Sequence, residues 1–405
     1  MAKDHVQNFD QDRPYVHALP TEEAQDADYL AQLAKLEPLT DGGLRTAGFL
    51  SDALELDPAN HDAQLLRERL YQVMVPRWHF PMLGDEVRNR TYAEAIAAKV
   101  RPGDIVLDIG CGAGLTAMLA ARAGAKHVYT CEQQPLIAEA AKQVIAANGL
   151  SDRITVIPKM SHNLVIGQDL PEPADVVVSE IVDNVLLGEG ALATLTHAMH
   201  VLAKPDARAI PERGRLFAQL VESDRLWHLW RPRRPEGFDV APFHDFASVA
   251  HVTPNDLTTL GLRPLGRPVE LFDFDFARPD TRSARATQVL SSSTWGTIHA
   301  VMVYFEMDLA PGLQLTNNLL SEGHWGRTVF LSDQPARARP GTHLQVTAQH
   351  DTSQLTLTLH DDHPVTEDSS IWTDLDDVSD IEMAEDFVPL THHAPVGPMP
   401  EAPYH

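Results

Sequence analysis

The 405-residue chain contains two cysteines, Cys111 and Cys131. Two thiols are too few for a disulfide framework, so a reducing, cytoplasmic setting is the simpler reading. No run of about 18 apolar residues occurs, and a membrane span is not expected. The N-terminus, MAKDHVQNFDQD, is polar and acidic and lacks the apolar core of a secretion signal. Basic residues are scarce against acidic ones, 32 Lys and Arg to 57 Asp and Glu, for a formal net charge of -25. Such a chain repels nucleic acid overall and attracts basic partners or small cations. Arginine outnumbers lysine, a bias compatible with a bacterial source.

What is present divides along the chain. The length predicts two or three domains with ample sequence for a core. Residues 1 to about 20 read as unstructured, and the pattern from Thr21 to Met74 is helical. Within it, ALELDPANHDAQLLRERL (53–70) reads as helix, Asp-Pro-Ala-Asn turn, helix, like the junction of a tetratricopeptide repeat. One or two such repeats cannot bury their faces alone, so a helical N-terminal extension (1–74), packed on the main domain or on a second subunit, is expected. From 75 to 211 apolar runs such as DIVLDIG, HVYTCE, RITVIPK and ADVVVSE alternate with helical stretches. That alternation predicts a parallel sheet covered on both faces, an α/β Rossmann-like domain. From 212 to 360 short alternating segments separated by turn residues predict an antiparallel β-barrel. RLWHLWRPRRPEGFDVAPF (225–243) interrupts it as an insertion. From 361 to 405 acids cluster without Lys or Arg and prolines follow, which reads as a loosely held tail.

VLDIGCGAGL carries the first chemistry. Asp108 ends a strand, and Gly110, Gly112 and Gly114 follow before a helix. Glycines at this turn let the backbone approach a ligand closely. Eighteen residues past Gly114, Glu132 ends the next strand, where a carboxylate can accept hydrogen bonds from two ribose hydroxyls. The G-x-G-x-G spacing, with an acid two residues before it, differs from the dinucleotide fingerprint G-x-G-x-x-G. It favours S-adenosylmethionine as the cofactor. Arg88, in MLGDEVRNRTY (82–92), is a candidate clamp for the methionine carboxylate. SEIVDNVLLGEGAL (179–192) adds two glutamates, Glu180 and Glu189, nine positions apart with apolar filling between them. No metal is assigned.

Together these pieces resemble the protein arginine methyltransferases. HFPMLGDEVRNRTYAEAI is similar to that family's cofactor-covering helix, and VLDIGCGAG with Glu132 to its motif I and following acid. SEIVDNVLLGEGAL resembles its double-glutamate loop, AIPERGRLFAQLVES its crossover into the barrel, and EGHWGRTVFL (322–331) its Thr-His-Trp loop. The similarity runs from about 75 to 355 and is strongest to the branch holding the monomethylating (type III) enzymes. The resemblance implies a seven-stranded methyltransferase domain followed by a barrel, and a dimer formed through an arm at 225–243 with Trp227, Trp230 and Phe238 as anchors. It implies Glu180 and Glu189 as a clamp on a substrate guanidinium, His324 paired with Asp85 as catalytic residues that could take the proton released on transfer, and cofactor contacts from Arg88, Asp108, the three glycines, Glu132, Met160 and Ser161. Trp325 and Asp183 are expected to touch substrate. The acceptor is peptidyl arginine or, as in bacterial homologues of nitrosourea biosynthesis, free L-arginine. Gly323 departs from the family's threonine, which leaves product specificity open.

Overall fold

A computed structural model describes residues 26–360 of the chain. The expectations for residues 1–20 and for the acidic tail at 361–405 lie outside the described residues.

Three helices come first: α1 (Ala27–Leu36), α2 (Leu44–Leu56) and α3 (His61–Met74). The Asp-Pro-Ala-Asn turn separates α2 from α3 as its sequence demands. Asn60 caps α3 by accepting from the Ala63 amide at 2.9 Å, and its Nδ2 donates to Asp28 Oδ1 at 2.6 Å. The hairpin thereby fastens to the start of α1. Leu30, Phe49, Leu50, Ala53 and Leu70 bury themselves in a separate small core, against which Leu136 packs. The extension is thus seated on the main body of its own chain. Two further helices, α4 (His79–Gly84) and α5 (Glu86–Lys99), lead into the sheet.

The next stretch alternates as expected: β1 (Ile105–Ile109), α6 (Leu115–Arg122), β2 (His127–Cys131), α7 (Pro135–Ala147), β3 (Ile154–Ile157), β4 (Ala174–Ser179), α8 (Ala191–His197) and β5 (Ala203–Ile210). The strands form a parallel sheet in the order β3-β2-β1-β4-β5. Its central strand β1 is buried along its whole length, which explains an apolar run interrupted by Asp108 alone. The sheet has five strands where the resemblance implied seven. The reason is connectivity: β5 passes directly into β6 (Arg213–Glu222), which pairs antiparallel with β11 (Gly296–Ala310) in another sheet.

The antiparallel part adds α9 (Asp224–Trp230), β7 (Val249–Val252), α10 (Pro254–Leu260), β8 (Arg263–Pro264), β9 (Val269–Asp275), β10 (Ala284–Ser291), β12 (Leu313–Thr316), β13 (Arg327–Ala338), β14 (His343–His350) and β15 (Leu355–His360). Seven strands run β7-β13-β11-β6-β8, with β12 on β11 and β9 on β6, and a second sheet runs β10-β14-β15. Phe272, Phe274, Phe276, Leu290, Val301 and Val346 belong to one core shared by both sheets. No ladder joins the two among the described residues, so this half is a pair of packed sheets rather than one closed barrel.

The segment at 225–243 also differs from its sequence reading. Trp227 is buried, and its Nε1 donates to Ser332 O at 3.0 Å. It anchors α9 to its own sheet and is unavailable to a partner. Trp230 packs half-buried against the apolar cluster that includes Leu226, Val252 and Val329. The exposed aromatics lie further on, at Phe238, Phe243 and Phe246.

Candidate active site

The carboxyl ends of β1, β2 and β4 converge on a cavity of about 320 Å³. In open parallel sheets this edge is where ligands bind, because the loops there diverge and helix N-termini face the gap. Gly110, Gly112, Glu132, Met160, Ser161, Arg88, Glu180 and Glu189 all line it, together with Cys111, Cys131, His79 and Thr194.

The turn after β1 has the required backbone. Gly110 adopts φ 81°, and a Cβ there would lie 2.6 Å from Ile181 Cγ2, so only glycine fits beneath the glutamate loop. Gly114 does not line the cavity; it caps α6 with φ 83°. Glu132 stabilises the same turn, accepting from the Gly112 amide at 3.1 Å and the Gln134 amide at 2.9 Å. Asp108 lies beneath the cavity rather than in it. It is 1% exposed and accepts from Thr130 Oγ1 at 2.6 Å, while its other oxygen has no partner. Burial pushes its carboxyl up to about 6.

Arg88 and Glu180 form the most buried ion pair near the cavity. Nη2 lies 2.5 Å from Oε2, with the side chains 4% and 5% exposed. Burial pushes the Glu180 carboxyl up to about 7 against the opposing pull of the Arg88 guanidinium. The guanidinium lies over the Tyr92 ring at 5.3 Å, and Tyr92 Oη donates to Ser179 O at 2.9 Å. Tyr92 was not singled out in the sequence, although it stands one helical turn beyond Arg88, the spacing at which two side chains share a face.

Glu189 enters from the other side. It sits at φ 57°, ψ 15° between two glycines, a left-handed conformation that costs a non-glycine residue about 1 kcal/mol or more. The loop sustains it through Asp183, whose Oδ1 accepts from the amides of Val185 at 3.1 Å and Leu187 at 3.0 Å. Asp183 therefore shapes the loop and does not line the cavity. Leu186 and Leu187, both fully buried, anchor the tip in the core. Glu189 remains exposed at the cavity mouth. Partial desolvation, then the negative charges of Asp183 and Glu132, raise its carboxyl above the ordinary range.

His324 and Asp85 meet as expected. His324 donates its amide to Asp85 Oδ2 at 2.9 Å, and its Nδ1 lies 3.0 Å from the same oxygen. Asp85 Oδ1 caps α5 by accepting from the Arg88 amide. Burial pushes the Asp85 carboxyl up, but these hydrogen bonds outweigh it and hold the group below its ordinary value. Burial lowers His324. Neither side chain lines the cavity; they adjoin it through Arg88. Trp325 does not line it either. Its Nε1 donates to Val182 O at 3.2 Å, and its ring meets Phe305 edge-on at 5.2 Å. An indole satisfied and packed in this way belongs to the core.

Comparison with known proteins fits this arrangement. A family model described as "Ribosomal protein L11 methyltransferase (PrmA)" matches residues 91–210, and one described as "Arginine methyltransferase oligomerization subdomain" matches residues 212–365. An "Arginine N(omega)-methyltransferase" of Streptomyces achromogenes subsp. streptozoticus is 41% identical over 294 residues, spanning 72% of this chain and 80% of that protein. The chain belongs to the protein arginine methyltransferase family. A second relative, "Protein arginine N-methyltransferase 7" of Danio rerio, is 30% identical over 69% of this chain, which spans only 45% of that longer protein. Among solved structures, a Trypanosoma brucei PRMT1 enzyme-prozyme complex with AdoHcy superposes with a TM-score of 0.61 at 22% identity, covering 72% of this chain and 94% of that one. Arabidopsis thaliana protein arginine methyltransferase 10 gives 0.56 at 21% identity, covering 69% and 95%. Both are likenesses of fold.

Proposed function

We propose that this family member is an S-adenosyl-L-methionine-dependent N-methyltransferase acting on a terminal guanidino nitrogen of free L-arginine. One observation carries the reading: two carboxylates, Glu180 and Glu189, line the same cavity as the glycine turn and Glu132. When bound, S-adenosyl-L-methionine supplies a methyl group activated on a sulfonium. The residues present fit that cofactor. The turn at Gly110 and Gly112 leaves room for close approach, Glu132 is a carboxylate suited to a ribose diol, and Arg88 retains an unpartnered Nε.

The chain's own task is alignment. A guanidinium is cationic at ordinary pH and weakly nucleophilic. Holding its planar fork between two carboxylates neutralises repulsion from a second cation and turns one nitrogen toward the donor. Arg88 occupies Glu180 Oε2, and no described hydrogen bond engages Oε1. Glu189 likewise has no hydrogen-bond partner among the described residues. Two carboxylate edges are therefore available for one fork. The Asp85–His324 pair is assigned a positioning role in place of the expected catalytic one, because neither side chain lines the cavity and the pair joins the helix bearing Arg88 to the loop before β13.

Free arginine is preferred because the Streptomyces relative is named for arginine rather than protein arginine, and the match extends over 80% of that protein. The alternative acceptor, peptidyl arginine, draws support from the relatives named protein arginine N-methyltransferases. Incubation with free L-arginine and with an Arg-Gly-rich peptide, read by mass spectrometry, tests both. Methylation of the peptide alone defeats the free-arginine reading. We further propose a homodimer formed through the exposed aromatics at 238–246, in keeping with the oligomerization-subdomain match, and a cytoplasmic location, in keeping with two free buried thiols.

A further inference from the structure

The loop joining β12 to β13, residues 317–326, holds His324 against Asp85 and Trp325 against the glutamate loop. Such a loop is costly to bury, because its carbonyls must find partners away from water. Here one side chain partners several of them. Arg327, the first residue of β13, is 0% exposed. Its Nε and Nη2 donate to Asn318 O at 3.2 and 2.7 Å, its Nη1 to Trp325 O at 3.0 Å, and Nη2 also to Ser321 O. No carboxylate pairs with it among the described ion pairs, and burial alone pushes it down to about 10. A fully buried cation solvated only by backbone carbonyls is an expensive choice that an apolar residue would avoid. Its compensation is geometric, since a rigid fork of five donors can fix three carbonyls at once.

A second link passes the loop's position onward. Asn317 Nδ2 donates to Gly326 O at 2.7 Å and to Asn184 O at 3.0 Å, while Oδ1 accepts from the Phe305 amide at 2.7 Å. With Trp325 on Val182 O, the loop holds the glutamate loop at two carbonyls between Glu180 and Glu189. We propose that Arg327 is a positioning residue for methyl transfer: its guanidinium sets the shape of the 317–326 loop, and through Trp325 and Asn317 that shape sets the spacing of the two glutamates that receive the acceptor. The role rests on the arginine-methyltransferase reading and deepens it. It concerns the acceptor side, as the bonds that carry it from Trp325 and Asn317 end at Val182 O and Asn184 O in the glutamate loop.

The test compares Arg327→Gln and Arg327→Lys with the wild-type protein. Expected for Arg327→Gln is a rise of about tenfold or more in the acceptor KM, with the calorimetric Kd for S-adenosylhomocysteine held within about twofold. Arg327→Lys, which keeps the charge but not the fork, should fall between. Amide exchange at Leu320, Ser321, Gly323 and His324, whose N–H groups bond within this network or to Asp85, should quicken in step. Unchanged acceptor KM and unchanged exchange would overturn the proposal. So would a parallel loss of cofactor affinity, which marks general damage. Should neither variant fold, fast exchange of those four amides in the wild type would equally overturn it. If the wild type methylates no form of arginine, the parent reading fails, and the exchange comparison still decides the loop's dependence on Arg327.

Discussion

At the scale of single residues, function rests on the charge state of a few buried groups. On the proposed reading Glu180 must be ionised to receive a guanidinium, and burial raises its carboxyl to about 7. Below that value it is protonated, so kcat/KM for the acceptor should climb with pH through about 7. Arg88 holds the group down, so Arg88→Gln should move this limb to higher pH in a profile taken at saturating cofactor; an unmoved limb would detach Arg88 from the titration. Glu180→Gln and Glu189→Gln should each lower turnover by roughly 100-fold or more, with cofactor affinity by calorimetry nearly intact. Turnover near wild type in either variant would remove that residue from the clamp. Arg88, Gly110, Gly112, Glu132, Glu180 and Glu189 were legible as cavity residues because each stands in a short motif, whereas His79, Cys131 and Thr194 were not. Asp183 and Trp325, expected at the substrate, do not line the cavity. Neighbourhood in sequence drew them toward substrate, whereas one side chain turned back onto its own loop and the other became core.

Among the elements, the N-terminal hairpin was legible from one turn. Asn60 both caps α3 and bonds Asp28 at the head of α1. Asn60→Ala should therefore cost about 1 kcal/mol or somewhat more, seen as faster amide exchange confined to 27–74, with no change in acceptor KM. Exchange that quickens across the parallel sheet as well would mean the extension supports the main body more deeply than one cap. The loop before β13 was legible only at His324 and Trp325. Arg327 and Asn317 make their contacts across 133 residues or within a loop of no regular periodicity, so no local pattern announces them. The strand count of the parallel sheet was likewise hidden, because the turn from β5 to β6 reads the same whether the chain stays in one sheet or leaves for another.

For the molecule as a whole, the alternation of apolar runs with helices disclosed the parallel half, and the shift to short alternating segments disclosed the antiparallel half. The packing of two unladdered sheets depends on long-range pairing such as β10 with β14, which sequence alone does not encode locally. The exposed aromatics bear on assembly: Phe238, Phe243 and Phe246 are each more than 70% exposed at 74, 72 and 80%. Replacing all three with serine should yield monomers by light scattering with little loss of thermal stability, and a persistent dimer would move the interface elsewhere. Trp227 is unsuitable for that experiment, since it is tied to Ser332. The bonds from Trp325 and Asn317 into the glutamate loop carry one more consequence. On the proposed reading, the half that lines the cavity carries the two acids, while their posture depends on a loop laid down more than a hundred residues later. An engineer grafting residues 75–211 onto a foreign partner would transplant both acids without the loop that holds them in place.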